Sequence, residues 1–288
     1  MATRSALAPA KVNLFLHVGP VDAAGYHPLA SLVAFADVGD RISVEPADRL
    51  SLTVTGPFAA GLEDEGDNLI LRALRGLGQA AGIGEPPLAV TLDKRLPIAA
   101  GLGGGSSDAG AALKLARDAL ELDLTDDGLA EIAATIGADG PMCLHARAAW
   151  AEGRGDRLAF EPRLPSLPAV LINPGVPSPT GEVYRAYDAG PPAAADQPSP
   201  PTDWSAAAVV EWLVEQRNDL EAPAVARSPA IGEAIAAAEA MGGVRLVRMS
   251  GSGATVFALF ESGDQAIAAA AEHRAAHPRW WITPANLA

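Results

Sequence analysis

A glycine-rich stretch, GLGGGSS (Gly101–Ser107), contains residues suited to binding an anion through the backbone. Its glycines permit left-handed dihedral angles and close approach of a ligand, each at a cost of about 0.5–1 kcal/mol relative to alanine. Alanines and leucines at helical spacing follow from Ala109 to Leu120, and Ser106, Ser107 and Asp108 are favourable caps for that helix. Because a helix N-terminus offers unpaired N–H groups and a positive dipole end, the stretch predicts a polyphosphate site.

Two familiar phosphate-binding motifs do not fit this stretch. A Walker A loop requires a glycine and then a lysine where this chain has Ser106 and Ser107. The dinucleotide motif G-x-G-x-x-G fails because Ser106 occupies its third glycine position. A flexible connection that merely permits packing is the structural alternative, although a linker does not require so many glycines beside serines.

Charge and composition restrict the partners. The 288 residues carry a formal net charge of −14, which opposes nonspecific binding to nucleic acid. The lysines are Lys11, Lys94 and Lys114, so local chemistry must hold any anionic ligand. No apolar run reaches the roughly 18–20 residues of a membrane span, and the N-terminus lacks the features of a signal peptide. We therefore expect a cytoplasmic protein, and we expect its single cysteine, Cys143, to be buried packing.

The elements that must position these residues form two groups. Strands are predicted first at KVNLFLHV (11–18), whose alternation indicates a half-buried strand, and then at 30–46, 50–56 and 88–97. Helices are predicted at 67–82, with Asp67 or Asn68 as the cap, after the glycine stretch, and at 126–140. A hairpin at 148–160 would complete a first domain, residues 1–160.

A second α+β domain is expected at residues 161–288. It begins with the apolar strand AVLINPG (169–175) and continues through alternating helices and strands to RWWIT (279–283). Between them, the proline-rich segment 189–203 is predicted to be a mobile surface loop. The fold class is therefore α+β, with two domains.

Three motifs in this order resemble those of the GHMP kinases, a family named for galactokinase and for homoserine, mevalonate and phosphomevalonate kinases. PIAAGLGGGSSDAGAA (97–112) resembles the family's phosphate-binding motif. APAKVNLFLHV (8–18) and RMSGSGATVFALF (248–260) resemble its N-terminal motif and its C-terminal glycine motif. The resemblance implies a two-domain fold, with an N-terminal domain like ribosomal protein S5 domain 2 and a ferredoxin-like C-terminal domain. It also implies an active site in the cleft between domains.

Other stretches are similar to the members of this family that act on a cytidine diphosphate-linked methylerythritol. They are AGYHPLASL (24–32), GDNLILRA (66–73), DKRLP (93–97), GADGP (137–141) and NDLEAPA (218–224). The resemblance implies transfer of the ATP γ-phosphoryl group to the 2-hydroxyl of that substrate, in the non-mevalonate isoprenoid pathway. The alternatives are a kinase of the homoserine or mevalonate type and a non-catalytic nucleotide-binding regulator.

The resemblance assigns catalysis to Lys11 and Asp139. Asp139 would act as the base, and a positioned base is worth about 10²–10⁴ in rate. Lys11 matches the lysine that lies beside that aspartate in the family, where its charge would keep the carboxylate ionised and stabilise developing alkoxide. The structural alternatives are an Asp-Gly-Pro turn in which Asp139 caps its own backbone and a solvated lysine near the N-terminus.

The resemblance also implies the ATP contacts. Backbone N–H groups from Gly101 through Leu102, Gly103, Gly104 and Gly105 to Ser106 and Ser107 would surround the phosphates. Either Ser106 or Ser107 could reach a Mg²⁺ ion that bridges the β and γ oxygens. Pro97 belongs to the same motif, and Asn68 and Lys94 would lie near the adenosine. A helix cap and a surface charge at the end of a strand are the structural alternatives for Asn68 and Lys94.

The remaining assignments concern the second substrate. Tyr26 and His27 match family positions that stack on and read cytosine, and Tyr184 fits a second stacking ring. Asn13 and Thr180 would contact the erythritol or its phosphates. The other histidines show no metal-ligand spacing and are expected to be structural or solvated: His17, His145, His273 and His277.

Two departures from the family pattern stand out. Family members often carry basic residues before GYH, where this chain has PVDAA (20–24), which leaves open how that turn would contact substrate phosphates. Gly140 replaces a usual apolar residue and is expected to loosen the turn at Asp139. The oligomeric state is left open between monomer and homodimer.

Overall fold

The structure, a computed structural model, describes residues 3–62, 68–191 and 193–288. The mixture of helices and largely antiparallel strands confirms the predicted α+β class. The chain forms two compact units, each built from separated stretches of sequence. Unit 1 comprises Met1–Ala10, Val38–Leu96 and Gly103–Ala146, and unit 2 comprises Lys11–Asp37, Pro97–Leu102 and Arg147–Ala288. The boundary between sequence domains at residue 160 stays a prediction.

Two long strands, β1 (Arg4–Val18) and β2 (Leu29–Pro46), pair with each other and contribute residues to both units. The alternation in residues 11–18 predicted a half-buried strand, and that prediction was wrong, because every residue from Lys11 to Val18 is buried. Phe15, on the face expected to be exposed, packs its ring edge-on against Trp150 and Trp212. Aromatic packing from distant sequence therefore covers the second face.

Unit 1 combines the first part of β1 and the last part of β2 with a further set of elements. These are β3 (Ser51–Thr55), α1 (Leu69–Ala80), β4 (Leu88–Asp93), α2 (Gly104–Ala119), α3 (Asp126–Ile136) and α4 (Gly140–His145). β4 pairs antiparallel with β2 and parallel with β3. The apolar faces of α1, α2 and α3 share one core with β2 and β4, which fixes the helix that follows the glycine stretch.

Unit 2 combines the last part of β1 and the first part of β2 with the remaining elements. These are β5 (Ala149–Gly153), β6 (Arg157–Phe160), β7 (Leu167–Asn173), α5 (Thr180–Asp188), α6 (Ala206–Val214), α7 (Glu221–Arg227), α8 (Pro229–Glu239), β8 (Leu246–Met249), β9 (Val256–Leu259), α9 (Gly263–Ala276) and β10 (Trp281–Leu287). β7 pairs antiparallel with both β9 and β10, and β8 pairs with β9. The predicted β5–β6 hairpin is confirmed, and β5 also pairs with β2.

The proline-rich segment 189–203 has no regular secondary structure in its described residues, and hydrogen bonds hold it at several points. The backbone oxygens of Ala194, Asp196 and Ser199 bond to side chains of Arg217, His17 and Trp212 respectively. The segment is thus attached to unit 2, while its predicted mobility stays a prediction. Among the described helices, none combines the length and apolar character of a membrane span.

Candidate active site

Helix α2 begins within the glycine stretch. Gly103 is its N-cap, with φ 62° and ψ 19° in the left-handed region, and the helix starts at Gly104. The expectation that Ser106, Ser107 or Asp108 caps this helix was wrong, because the left-handed Gly103 starts the helix before these side chains are reached. The first turn, from Gly104 to Ser106, is only partly buried. Its N–H groups have no partners within the helix, as in any first turn, and can therefore receive an anion.

Gly101 lies where only glycine fits. A Cβ at this position, whose φ is +74°, would lie 2.4 Å from the carbonyl oxygen of Ser250. The Ser250 hydroxyl donates to the Gly101 carbonyl at 3.0 Å and accepts from the Asn13 backbone N–H at 3.1 Å. Asn218, from the NDLEAPA motif, donates to the carbonyls of Met249 and Gly251. Within unit 2, the structure therefore brings the start of the glycine stretch, the N-terminal motif and the C-terminal glycine motif together.

Lys11 and Asn13 are both buried in β1, at 6% and 5% exposure. The Lys11 backbone N–H donates to the Leu102 carbonyl at 2.8 Å. Because the residue is also buried, the alternative of a solvated lysine near the N-terminus was wrong. The Asn13 amide nitrogen donates to the Ser31 hydroxyl at 2.8 Å. Its carbonyl oxygen, Oδ1, is buried without a hydrogen-bond partner among the described residues. An unpaired buried acceptor is costly, and a ligand hydroxyl would satisfy it.

Ser106 and Ser107 differ in exposure. Ser106 is half-buried, whereas Ser107 is 1% exposed and lines a cavity of about 200 Å³ in unit 1. The Ser107 hydroxyl has no hydrogen-bond partner within the described residues. No cluster of three or more His, Cys, Asp or Glu side chains suited to a metal occurs in the described ranges. Because Mg²⁺ is commonly held by substrate phosphates with few protein ligands, a serine oxygen in this turn fits an ion that arrives with a nucleotide.

Lys94 follows β4 directly and is buried, at 4% exposure, so the alternative of a surface charge was wrong. Its ammonium group donates to Asp40 Oδ2 at 2.6 Å and to Asp108 Oδ2 at 2.7 Å. Asp40 Oδ1 also accepts the backbone N–H groups of Arg95 and Leu96. The network ties β2, the end of β4 and the first turns of α2 together in unit 1.

When both carboxylates are ionised, the one lysine that they share leaves this buried cluster with an excess negative charge. Burial lowers the pKa of Lys94, but the charges of Asp108 and Asp40 outweigh burial and raise it above its ordinary value. Burial raises the pKa of Asp108 to about 7, although Lys94 opposes the shift. The sequence did not predict Asp40 or Asp108 as a partner of Lys94. Asp108 begins the apolar face of α2 that continues at Ala111 and Ala112, and a charge on such a face needs a buried partner.

The other residues assigned to ATP lie at the ends of elements. Asn68 caps α1, since its Oδ1 accepts the Ile70 N–H at 2.9 Å, which confirms the helix-cap alternative. Asp67, the other proposed cap, lies outside the described residues. Pro97 is partly buried and begins the segment that leads to Gly101. Contact of Asn68, Lys94 and Pro97 with a nucleotide stays a prediction.

Asp139 is the N-cap residue of the short helix α4. The structural alternative to catalysis was an Asp-Gly-Pro turn at this position, in which Asp139 caps its own backbone. Its carboxylate makes no capping hydrogen bond to the described backbone of α4, so the cap does not engage this side chain. The expectation that Gly140 loosens this turn stays a prediction, but the structure gives the glycine a packing role. A Cβ at Gly140 would lie 2.1 Å from the Ala133 carbonyl oxygen, so glycine permits the close packing of α4 on α3.

Tyr26 and His27 follow a tight turn in unit 2. Tyr26 is 53% exposed, and the guanidinium carbon of Arg154 lies 3.7 Å from the centroid of its ring. His27 Nδ1 lies 2.8 Å from the Gly19 carbonyl oxygen, and its ring centroid is 4.9 Å from that of Tyr184. The structure therefore brings His27 and Tyr184 together. Arg154 was not predicted, and nothing in the sequence of its hairpin distinguishes it from other surface arginines.

The other predicted positions have clear surroundings. Thr180 begins α5, and its hydroxyl lies 2.9 Å from that of Ser252. His17 is buried, with Nδ1 2.9 Å from the Asp196 carbonyl oxygen, which confirms a structural role, and burial lowers its pKa. Cys143 is buried, as predicted, and forms no disulfide.

Comparison with known proteins connects these arrangements to a family. Residues 68–147 match the family described as GHMP kinases N terminal domain, and residues 209–279 match GHMP kinases C terminal. The 4-diphosphocytidyl-2-C-methyl-D-erythritol kinase of Caulobacter vibrioides is 55% identical over 286 residues, which cover 98% of this chain and 99% of that protein.

Solved structures show the same relationship. A crystal structure of 4-(cytidine 5'-diphospho)-2C-methyl-D-erythritol kinase is 37% identical, with a TM-score of 0.79 and 99% coverage of both chains. Homoserine kinase from Cytophaga hutchinsonii shares the fold, with a TM-score of 0.66 at 17% identity over 99% of this chain and 94% of that one. These matches confirm the expected two-domain fold. The chain belongs to the GHMP kinase family.

Proposed function

We propose that this chain transfers the γ-phosphoryl group of ATP to the 2-hydroxyl of 4-diphosphocytidyl-2-C-methyl-D-erythritol, in the non-mevalonate isoprenoid pathway. The observation that carries this proposal is similarity over the whole chain, at 55% identity to a relative of that name. Similarity to the homoserine kinase is confined to the fold, because identity there is 17%. The substrate assignment therefore follows the full-length relative.

The start of α2 is the proposed phosphate site. N–H groups within Gly101–Ser107 would bind the ATP phosphates, chiefly those of the first turn from Gly104 to Ser106, because the Ser107 N–H donates to the Gly103 carbonyl. The left-handed Gly103 sets the direction in which this turn points. The hydroxyl of Ser106 or Ser107 would hold a Mg²⁺ ion that accompanies ATP. Bound there, it would neutralise charge on the β and γ phosphates.

Asp139 and Lys11 are the proposed catalytic residues. Phosphoryl transfer requires an oriented hydroxyl and neutralised charge, and the hydroxyl proton need leave only late in a loose transition state. Asp139, which is partly exposed at the start of α4, would accept that proton. Lys11 would stabilise the negative charge that develops on the attacking oxygen.

The acceptor substrate is proposed to bind residues of unit 2. The unpaired Asn13 Oδ1 would accept a hydrogen bond from a hydroxyl of the erythritol, and Thr180 would contact the erythritol or its phosphates. Tyr26 and Tyr184 would stack on the cytosine, and His27 would read its edge.

The test is ADP formation by the purified full-length chain with Mg²⁺, ATP and the cytidine diphosphate substrate. Parallel reactions contain mevalonate or homoserine in its place. We expect turnover only with the cytidine compound, and phosphate on its 2-hydroxyl by ³¹P NMR. Turnover confined to mevalonate or homoserine would establish the other type of GHMP kinase. ATP binding without turnover of any of the three would favour the non-catalytic regulator. A cytoplasmic location and a monomeric or dimeric state stay predictions.

A further inference from the structure

The turn before Tyr26 has a fixed backbone but presents an exposed ring. Asp22 Oδ1 accepts the N–H groups of Ala24 at 2.8 Å and Tyr26 at 2.9 Å, and the Asp22 N–H donates to the Tyr26 carbonyl at 2.7 Å. The N–H of Tyr26 is the main cause that lowers the pKa of Asp22. Residues 21–28 contain no lysine or arginine. The turn therefore fixes the Tyr26 main chain, and another element must hold its ring.

The β5–β6 hairpin supplies that element. Leu29 at the start of β2 pairs with Gly153 at the end of β5, so the hairpin turn lies beside the segment that leads from Tyr26. Gly153 and Gly155 have φ values of +68° and +90° and flank Arg154 in the tight turn. The Arg154 guanidinium lies over the Tyr26 ring, 3.7 Å from its centroid.

The ring contact can orient Tyr26, whereas the ion pair that Arg154 makes nearby acts on Asp22 and not on the ring. Its Nη2 lies 3.7 Å from Asp22 Oδ2, and both side chains are more than 40% exposed. Exposed pairs at this separation contribute little, because solvent screens them. By contrast, a planar guanidinium stacked on a ring restricts the ring's orientation and leaves the opposite face available.

We propose that Arg154 is a positioning residue for the pyrimidine of a cytidine diphosphate ligand. It holds one face of Tyr26, so that the other face receives the base. This inference rests on the proposed function for the identity of the ligand. A ring held before binding loses less conformational freedom when the base stacks on it, which tightens the complex.

Calorimetry of the full-length chain with cytidine diphosphate and, separately, with ATP tests this inference. We expect Arg154→Ala to weaken cytidine diphosphate binding about two- to fivefold and to leave ATP binding unchanged. Arg154→Lys keeps the charge without planar stacking and should give an intermediate loss. The matched control is Arg157→Ala, on the same hairpin, where an exposed guanidinium lies 3.6 Å from Glu152. It should bind cytidine diphosphate like the unaltered chain.

A double variant separates positioning through Tyr26 from a direct effect of charge. In a Tyr26→Ala background, Arg154→Ala should cause no further loss of cytidine diphosphate affinity, because its ring partner is gone. An equal loss in both backgrounds, a loss matched by Arg157→Ala, or an unaltered chain that does not bind cytidine diphosphate would overturn the inference. If the chain binds cytidine diphosphate as described but does not phosphorylate the methylerythritol compound, the proposed function fails and the role of Arg154 stands.

Discussion

Asp139 combines partial exposure with a carboxylate that makes no capping hydrogen bond within the described part of α4. Its proposed role therefore depends on its acid–base chemistry and not on a contribution to the helix. Lys11 is buried in β1, and enclosing a lysine charge is costly unless partners or a ligand compensate it. Both residues thus have surroundings that a purely structural reading of the sequence did not predict.

Asp139→Asn should lower kcat by about 10² or more and leave the affinity for ATP within about twofold, because the amide keeps the shape but cannot accept the proton. Steady-state turnover and calorimetry with ATP measure the two effects. Asp127→Asn, at an exposed position in the first turn of α3, is the control and should retain full turnover. Near-normal kcat in Asp139→Asn would remove this carboxylate from the mechanism.

At the scale of elements, one backbone position determines where α2 starts. Gly103 has a φ of 62°, and a β-branched residue there would be strained and would turn the first N–H groups away from their present direction. The helix dipole would remain, but the groups that receive the phosphates would not be correctly placed.

Gly103→Val should therefore abolish measurable ATP binding in calorimetry. The matched control is Gly82→Val, because Gly82 has a similar φ of +68° and open space around its Cβ direction, outside the glycine stretch. The control should carry comparable backbone strain and still bind ATP. Equal loss of affinity in both variants would attribute the effect to instability, and unchanged affinity in Gly103→Val would return the stretch to a packing role.

The Lys94 network joins three elements of unit 1, and removing its one cation would leave two carboxylates facing each other in a buried site. Lys94→Met should reduce the free energy of unfolding by about 3–5 kcal/mol, the usual cost of breaking a buried pair from one side. Urea unfolding followed by circular dichroism measures this loss. Lys114→Met, which removes a half-buried amine outside the network, should cost clearly less. A similar cost for both would contradict a stabilising network.

At the scale of the whole molecule, the pH dependence of stability should show the contribution of Glu161. Hydrogen bonds from Arg163 are the main cause that lowers the pKa of Glu161 from 4.5 to about 2, with help from the Trp150 N–H. A depressed folded-state pKa stabilises the protein above the unfolded value. That stability is lost as pH falls from about 4.5 towards 2.

Glu161→Gln should therefore lower stability at pH 6 and flatten the decline between pH 5 and pH 3, as measured by urea midpoints. Glu152→Gln, which removes a surface carboxylate 3.6 Å from Arg157, is the control and should change stability little. A decline as steep in Glu161→Gln as in the unaltered chain would show that other carboxylates dominate acid unfolding.

The sequence by itself determined most strands, the longer helices and the glycine stretch, because those depend on local periodicity and on the conformational freedom of glycine. Its motifs also indicated the family, which the comparisons confirm. Short helices such as α4 and α7 were missed, since a few residues carry too little periodic signal. The predicted caps of α2 were wrong because the left-handed dihedral angles of Gly103 set the start of the helix, and the sequence alone does not determine those angles.

Only the tertiary structure decided which charged and polar groups meet. Lys94, Asp40 and Asp108 are far apart in sequence, and their pairing follows from how β2, β4 and α2 pack in unit 1. Likewise, the stacking of Arg154 on Tyr26 depends on the register between β2 and β5. The burial of Phe15 depends on tryptophans that are distant in sequence. Local sequence encodes backbone preference, whereas burial and partnership arise from chain segments that only folding brings together.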